Sequence, residues 1–358
     1  MQPIRLLSAV EQTVAHLCEG LQRGHWSGRL PGVVRLAAEC GVSKGVVRAA
    51  LQRLEAEGML AARGLGRSRS AAAPGEAGAP RRALRVGILL DDARQNRQVG
   101  YIVELQHALE AAGHAAFFTN KSQADLRFDV RRIIRHVEAT PADAWVVQAG
   151  SREVLEWFAT QPVPALALFG RRSGLPIAAS GPDKAPAFAE ATRQLAGLGH
   201  RRIVLLCRKL RRLPEPGRVE RAFLAELAAQ GCPVSDFNLP DWEETVAGFH
   251  HLLGALFHST PPTALIIDES VFYIAVLQFL GERGWRVPKH VSLVCTDDDA
   301  AFAWCHPAIS HIRWDPRPVV RRIVRWAAAV SRHQTDLKQA LFPAEFVTGG
   351  TIGPMWKG

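Results

Sequence analysis

The side chains best placed to do chemistry are Ser43, Lys44 and Arg48, in the stretch LPGVVRLAAECGVSKGVVRAALQRLEAEGML at 30–60. Gly41-Val42-Ser43 reads as a tight turn. Ser43 is placed to cap a helix that carries Val46, Val47, Ala50, Leu51 and Leu54 at helical spacing. Lys44 and Arg48 fall at the start of that helix, where a helix-turn-helix presents donors to phosphates and base edges. Arg63 and Arg67 flank Gly64-Leu65-Gly66, a hairpin tip whose cations would reach the DNA backbone or minor groove. A second set of polar residues follows short apolar runs. Asp268 follows 263–267 and Asp297 follows 291–295, at the strand ends beyond which open α/β sheets bind ligands. The alternative for each acid is a helix N-cap, because strand ends precede helix starts.

Charge supports an acidic partner. The 358 residues carry a net charge of +10, and 1–82 alone hold twelve Lys or Arg against six acids. The isoelectric point lies near 9.8. Nucleic acid is the first partner such a balance suggests. A solvated basic surface is the bland alternative.

Other chemistries find little support. Six scattered cysteines form no C-x-x-C pair, which argues for reduced thiols in a cytoplasmic protein. No patterned metal set emerges from Asp297-Asp298-Asp299, His250-His251, His306 or His311, and no G-x-S-x-G, P-loop or H-E-x-x-H motif occurs. No catalytic residue, metal or cofactor is therefore expected. No apolar run is long enough to span a membrane, and the N-terminus does not read as a signal peptide.

The elements that must position these residues fall into three parts. Residues 8–22 read as a helix, followed by the helix-turn-helix and the hairpin, so 1–69 forms an α+β DNA-binding domain. The segment SAAAPGEAGAP opens a flexible linker at 70–83. From 84 to 353 short apolar runs alternate with amphipathic patterns. Strands are expected at 84–90, 115–119, 144–149, 164–169, 202–207, 263–267 and 291–295, with helices at 101–112, 186–198, 219–230, 243–258 and 270–283. This is the signature of parallel sheets covered on both faces, and about 270 residues of it implies two lobes.

The first part resembles the GntR family of bacterial repressors in its LP start, GVS turn, VR-x-AL helix and EG-x-L approach to a wing. The chain departs from that pattern at Gly32-Val33-Val34, where Arg35 follows one place after the family's phosphate-contacting arginine, and at Gly45-Val46, where a threonine pair is usual. The resemblance implies a winged helix with DNA contacts from Arg35, Ser43, Lys44, Gly45, Arg48, Arg63 and Arg67.

The later part resembles the effector domain of LacI/GalR repressors, which is related to periplasmic binding proteins. The matching segments are LAGLGHRRI at 195–203, PTALIID at 262–268, GWRVPKHVSLVCTDD at 284–298, PAISHI at 307–312 and EFVTGGTIG at 345–353. A GntR-type reader fused to a LacI-type sensor resembles the arabinose-type repressors.

The second resemblance implies two doubly wound parallel sheets with a ligand between the lobes. The first lobe is expected at 84–199 and 315–332, the second at 200–313 and 344–353. Crossovers fall near Gly199-His200, near Arg313-Trp314 and within 333–343. It also implies effector contacts from Asp183, Asp268, Asp297 and Trp314. Arg218 stands beside Val219, which occupies the place of the family's ligand-binding arginine; either Arg218 substitutes or the ligand differs. The expected protein is a homodimeric, cytoplasmic regulator, a repressor like its relatives, binding double-stranded operator DNA and a small sugar-like effector. A sugar-binding protein without a role in gene control is the alternative, and an enzyme on this scaffold is disfavoured by the lack of a nucleophile–base set.

Overall fold

The computed structural model describes residues 8–22, 30–56, 60–61, 70–71, 82–92 and 100–356. The chain divides into two compact units, 1–80 and 81–358.

In the first unit, helices α1 (Ala9–Gln22), α2 (Val33–Cys40) and α3 (Lys44–Ala56) precede a two-stranded hairpin of β1 (Leu60–Ala61) and β2 (Ser70–Ala71). One apolar stripe from each helix meets in a core that includes Leu17, Leu36, Val47, Leu51 and Leu54. Gly41 ends α2 at φ 64°, a left-handed position that suits glycine, and Val42 N–H closes the turn onto the Ala37 carbonyl. Ser43 Oγ then accepts from Val46 N–H at 3.3 Å and starts α3. The strands pair antiparallel, Leu60 with Ala71 and Ala61 with Ser70. Ser70 and Ala71 therefore belong to the hairpin, not to the linker expected from residue 70.

The second unit is built on ten strands in the order β4-β3-β5-β6-β7-β12-β11-β10-β9-β8. Strands β3 (Arg85–Leu89), β4 (Ala115–Phe118), β5 (Ala144–Gln148), β6 (Ala165–Leu168) and β7 (Ala178–Asp183) form one parallel set. The other holds β8 (Ile203–Leu206), β9 (Ala264–Ile267), β10 (Ser292–Cys295) and β11 (Ser310–Trp314). The helices between them are α4 (Gly100–Ala111), α5 (Val130–Glu138), α6 (Arg152–Thr160), α7 (Ala185–Gly197), α8 (Lys209–Arg212), α9 (Arg218–Ala229), α10 (Val246–Ser259), α11 (Ser270–Glu282) and α12 (Pro316–Val330). Strands such as β5, β6, β8, β9 and β10 are buried along their whole length, as their unbroken apolar runs demand.

Two features refine the expected pair of sheets. Strand β12 (Gln339–Val347) joins them. Its first half, Gln339–Pro343, runs parallel to β7, and its second half, Ala344–Val347, runs antiparallel to β11. Much of the expected third crossover is thus strand. Helix α7 also changes lobe. Phe188, Ala191 and Leu195 pack against Ile203, Leu205, Phe223 and Leu227, so 185–197 belongs to the second lobe and the chain crosses at Asp183–Ala185 rather than at Gly199-His200. Gly199, at φ 94°, turns the chain within that lobe. Helix α12 packs Val319, Ile323 and Trp326 onto the first-lobe strands.

Candidate functional site

Within the first unit, Ser43, Lys44, Gly45 and Arg48 are all exposed, while Val47 between them is buried. Burial of Val47, Leu51 and Leu54 fixes the roll of α3 and turns Lys44 and Arg48, one helical turn apart, to solvent on one face. Arg35 is exposed too, but its Nε donates to Glu39 Oε1 at 2.8 Å, one turn along α2. Arg63 and Arg67 lie outside the described residues. The exposed face offers cationic donors at the N-terminal end of a helix, where the backbone N–H groups add their own positive potential.

In the second unit, charged side chains from the carboxyl ends of both strand sets meet between the lobes. Asp183, the last residue of β7, receives Arg218, whose Nη1 lies 3.0 Å from Oδ1 and whose Nη2 donates to Oδ2 at 3.0 Å. Two residues named from resemblance thus form one bidentate pair. Asp297, just past β10, meets Lys184 Nζ at 3.3 Å, and that lysine also donates to the Thr296 carbonyl at 2.8 Å. Lys184 sits on the crossover from β7 to α7, so this contact fastens a hinge to the end of a second-lobe strand.

Asp268 is different. It is only 4% exposed, and Oδ1 accepts from Arg211 and from Thr296 Oγ at 2.9 Å. Arg211 also donates to Glu220 Oε1 at 2.7 Å. Glu269, next to Asp268, adopts φ 66° and takes two hydrogen bonds from Arg208, each 2.7 Å. Burial raises the Glu269 carboxyl despite those bonds.

The first lobe contributes aromatic and acidic groups that sequence reasoning missed. Trp314 packs edge-on against Tyr101 at 5.3 Å and Phe169 at 5.7 Å between ring centroids. Gln148 Nε2 donates to Tyr101 Oη at 2.9 Å. Burial, then the charges of Asp91 and Asp297, push the Tyr101 phenol upward, so it stays neutral and serves as a hydrogen-bonding group. Asp91, just past β3, is raised by burial to about 6. Arg171 and Arg172 follow β6. Arg171 Nη2 donates across the lobes to the Arg211 carbonyl at 3.3 Å and to the Glu215 carbonyl. The same strand-end rule that singles out Asp268 and Asp297 also points to Asp91, Arg171, Arg172 and Arg208.

Carboxylates that accept from hydroxyls, arginines that clamp anions and an aromatic wall together suit a polar-ligand cleft. No cluster of three metal-ligating side chains occurs among the described residues. No helix among them is long and apolar enough to cross a membrane.

Comparison with known proteins agrees with both units. Residues 9–67 match the family described as bacterial regulatory proteins, gntR family, and residues 192–352 match the periplasmic binding protein-like domain. A curated relative, an uncharacterized HTH-type transcriptional regulator from the aml 5' region of Streptomyces limosus, is 27% identical over 173 residues, 48% of this chain and 49% of that protein. The chain thus spans about half of that relative's length. Among solved structures, the transcriptional regulator CelR–cellobiose complex superposes with a TM-score of 0.63 at 16% identity, over 90% of this chain and 100% of that one. A LacI family transcriptional regulator from Enterococcus faecium with bound ribose gives 0.59 at 16% identity, over 75% of this chain and 99% of that one. At such identities these likenesses establish the fold. Residues 9–67 thus carry a domain that matches the gntR family of bacterial regulatory proteins, and residues 192–352 one that matches the periplasmic binding protein-like domains.

Proposed function

We propose that this protein is a homodimeric transcriptional repressor, working in the cytoplasm, whose affinity for operator DNA is set by a small polar molecule in the cleft of its second unit. The observation that carries this reading is the pairing in one chain of an exposed Lys44–Arg48 helix face with a two-lobed domain whose strand ends converge on charged and aromatic side chains. Two proteins of this fold suggest the ligand class, since one is complexed with cellobiose and the other with ribose. Here Asp297 and Asp183 would accept from ligand hydroxyls, Trp314 would cover a ring face, and Arg218 would act as a donor. Asp268 would shape the floor from below.

Each lobe crosses to the other at Asp183–Ala185, between β11 and α12, and within β12. A ligand touching both sides would favour the closed arrangement only as far as it binds that state better. Typical couplings are about 1–3 kcal/mol, roughly a 5–150-fold change in operator affinity. The composition of 72–80, rich in Ala, Gly and Pro, suits a tether, so coupling is expected to act through dimer geometry.

The test is operator binding over a series of salt concentrations. Arg48→Ala should weaken binding to the protein's own promoter and flatten its salt dependence by about one phosphate contact's worth of slope. An unchanged isotherm would remove Arg48 from the interface. Failure of the parent protein to select its promoter over random DNA would leave only a ligand-binding protein.

A further inference from the structure

On one side of the cleft every carboxylate has a cationic partner, and on the other a cation lacks a carboxylate of its own. In the second lobe Glu269 has Arg208, Asp268 and Glu220 share Arg211, and Asp297 has Lys184. At the end of β7 the balance inverts. Asp183 already holds both Nη atoms of Arg218. A second guanidinium, that of Arg172, lies over the same strand: a Cβ built on Gly181 would stand 3.7 Å from Arg172 Nη2 and 3.3 Å from the Phe169 ring. Gly181 and Asp183 project from the same face of β7, since strand side chains alternate. Arg172 makes no ion pair with any described residue, yet it is half-buried.

Arg171, beside it in the chain, turns to the second lobe instead. Its Nη2 donates to two backbone carbonyls that precede α9, and its buried Nε has no partner. Two arginines, Arg172 and Arg218, therefore share the one carboxylate of Asp183. Burial and the neighbouring Arg218 charge oppose the charge of Arg172, and only Asp183 supports it. A half-buried guanidinium that shares its one carboxylate with another guanidinium is only partly compensated, and an arriving anion would relieve it. Two planar forks facing one space match the oxygens of a carboxylate or phosphate.

We propose that the effector is an anionic sugar derivative whose carboxylate or phosphate seats between the guanidiniums of Arg172 and Arg218, beside Phe169. This rests on the cleft being the effector site and adds to it the charge of the ligand. Gly181 would then be required for space, because a Cβ there would press on the Phe169 ring and a longer side chain would fill the space beside Arg172.

The experiment is calorimetric titration of the full-length protein with a panel of aldoses, each offered as neutral sugar, sugar acid and sugar phosphate, with inorganic phosphate alongside. The expected hit lies in an anionic arm, and which arm distinguishes carboxylate from phosphate. Its affinity should fall as salt rises. Arg172→Gln should weaken it about 10- to 100-fold, with partial recovery in Arg172→Lys. The ligand-free Arg172→Gln protein should melt no lower than the parent, since a like charge is removed; a merely structural arginine would give a lower melt. A neutral sugar that binds as tightly as its acid and phosphate, depends on Asp297 and ignores Arg172→Gln overturns the proposal and keeps the cleft. An anionic hit indifferent to both Arg172→Gln and Asp297→Ala overturns both readings. No binding in either anionic arm overturns the proposal as well.

Discussion

Asp268 and Asp297 end neighbouring strands, β9 and β10, yet burial divides their duties. Asp268 is enclosed by Arg211 and Thr296, whereas the Asp297 side chain is 41% exposed and holds only the longer contact to Lys184. Sequence position treats them alike, because both obey the strand-end rule; the partners that separate them come from 28 to 113 residues away. Asp91 shows a third outcome. Burial raises its carboxyl from 3.8 to about 6, so the folded state holds a proton that the unfolded state has released across that interval. Folding stability must then fall as pH rises through the window, and the charged carboxylate is a burden above it. Asp91→Asn keeps an acceptor for the Asp92 N–H, now 2.8 Å from Oδ1, and removes the charge. It should stabilise the protein by about 1–3 kcal/mol near neutral pH and by little at about pH 4. Thermal melts of both proteins across that range check it; equal gains at both ends would show that burial of the charge is not the cause.

At the scale of elements, the architecture is legible in the sequence where apolar runs are pure. β5, β6, β8, β9 and β10 are fully buried and read directly. Strand β7, AASGPD, is not legible: it lacks large side chains and contains Gly and Pro, which normally mark turns. Strand β12 hides behind alternating exposure and a proline at 343, where it changes partner strand. Helix α7 is legible as a helix, but its lobe is set by packing against β8 and α9, which no local pattern encodes. The start of α3 is legible from Ser43, yet Gly45 behind it runs against the helix. That glycine sits in the first helical turn, and a Cβ there would meet nothing nearer than Ser43 Oγ at 3.7 Å. Nothing in the fold demands it, and helix propensity opposes it. Close approach of the helix to a DNA backbone would explain it. Gly45→Ala should stabilise the first unit by about 0.5–1 kcal/mol while lowering operator affinity. Amide hydrogen exchange in α3, measured beside operator titrations, separates the two effects; operator binding as tight as the parent's would remove Gly45 from the interface.

For the whole molecule, the requirement is that one recognition helix become a switch. On the proposed function, a single helix face with Lys44 and Arg48 would cover one half-site, and a two-fold dimer would present two such faces to successive major grooves. The second unit carries a surface suited to pairing. On α11, Val271, Ile274 and Leu277 are 43%, 59% and 36% exposed, at spacings that place them along one stripe, while Tyr273, Val276 and Leu280 fill the core on the opposite side. An apolar stripe of this kind on a charged protein suits a covering copy better than it suits solvent. Ile274→Glu plants a charge in the middle of it without touching the buried side. The variant should fold with a melting temperature near the parent's, sediment as a monomer, and bind a two-half-site operator about 10²- to 10⁴-fold more weakly, because the second contact loses its tether. Its affinity for an isolated half-site should be unchanged. It should also bind the effector as the parent does but lose the effector's influence on DNA, since on the proposed function that influence would be carried by the relation between two copies. A variant that remains dimeric, or a monomer that still responds to effector on DNA, would place the coupling elsewhere.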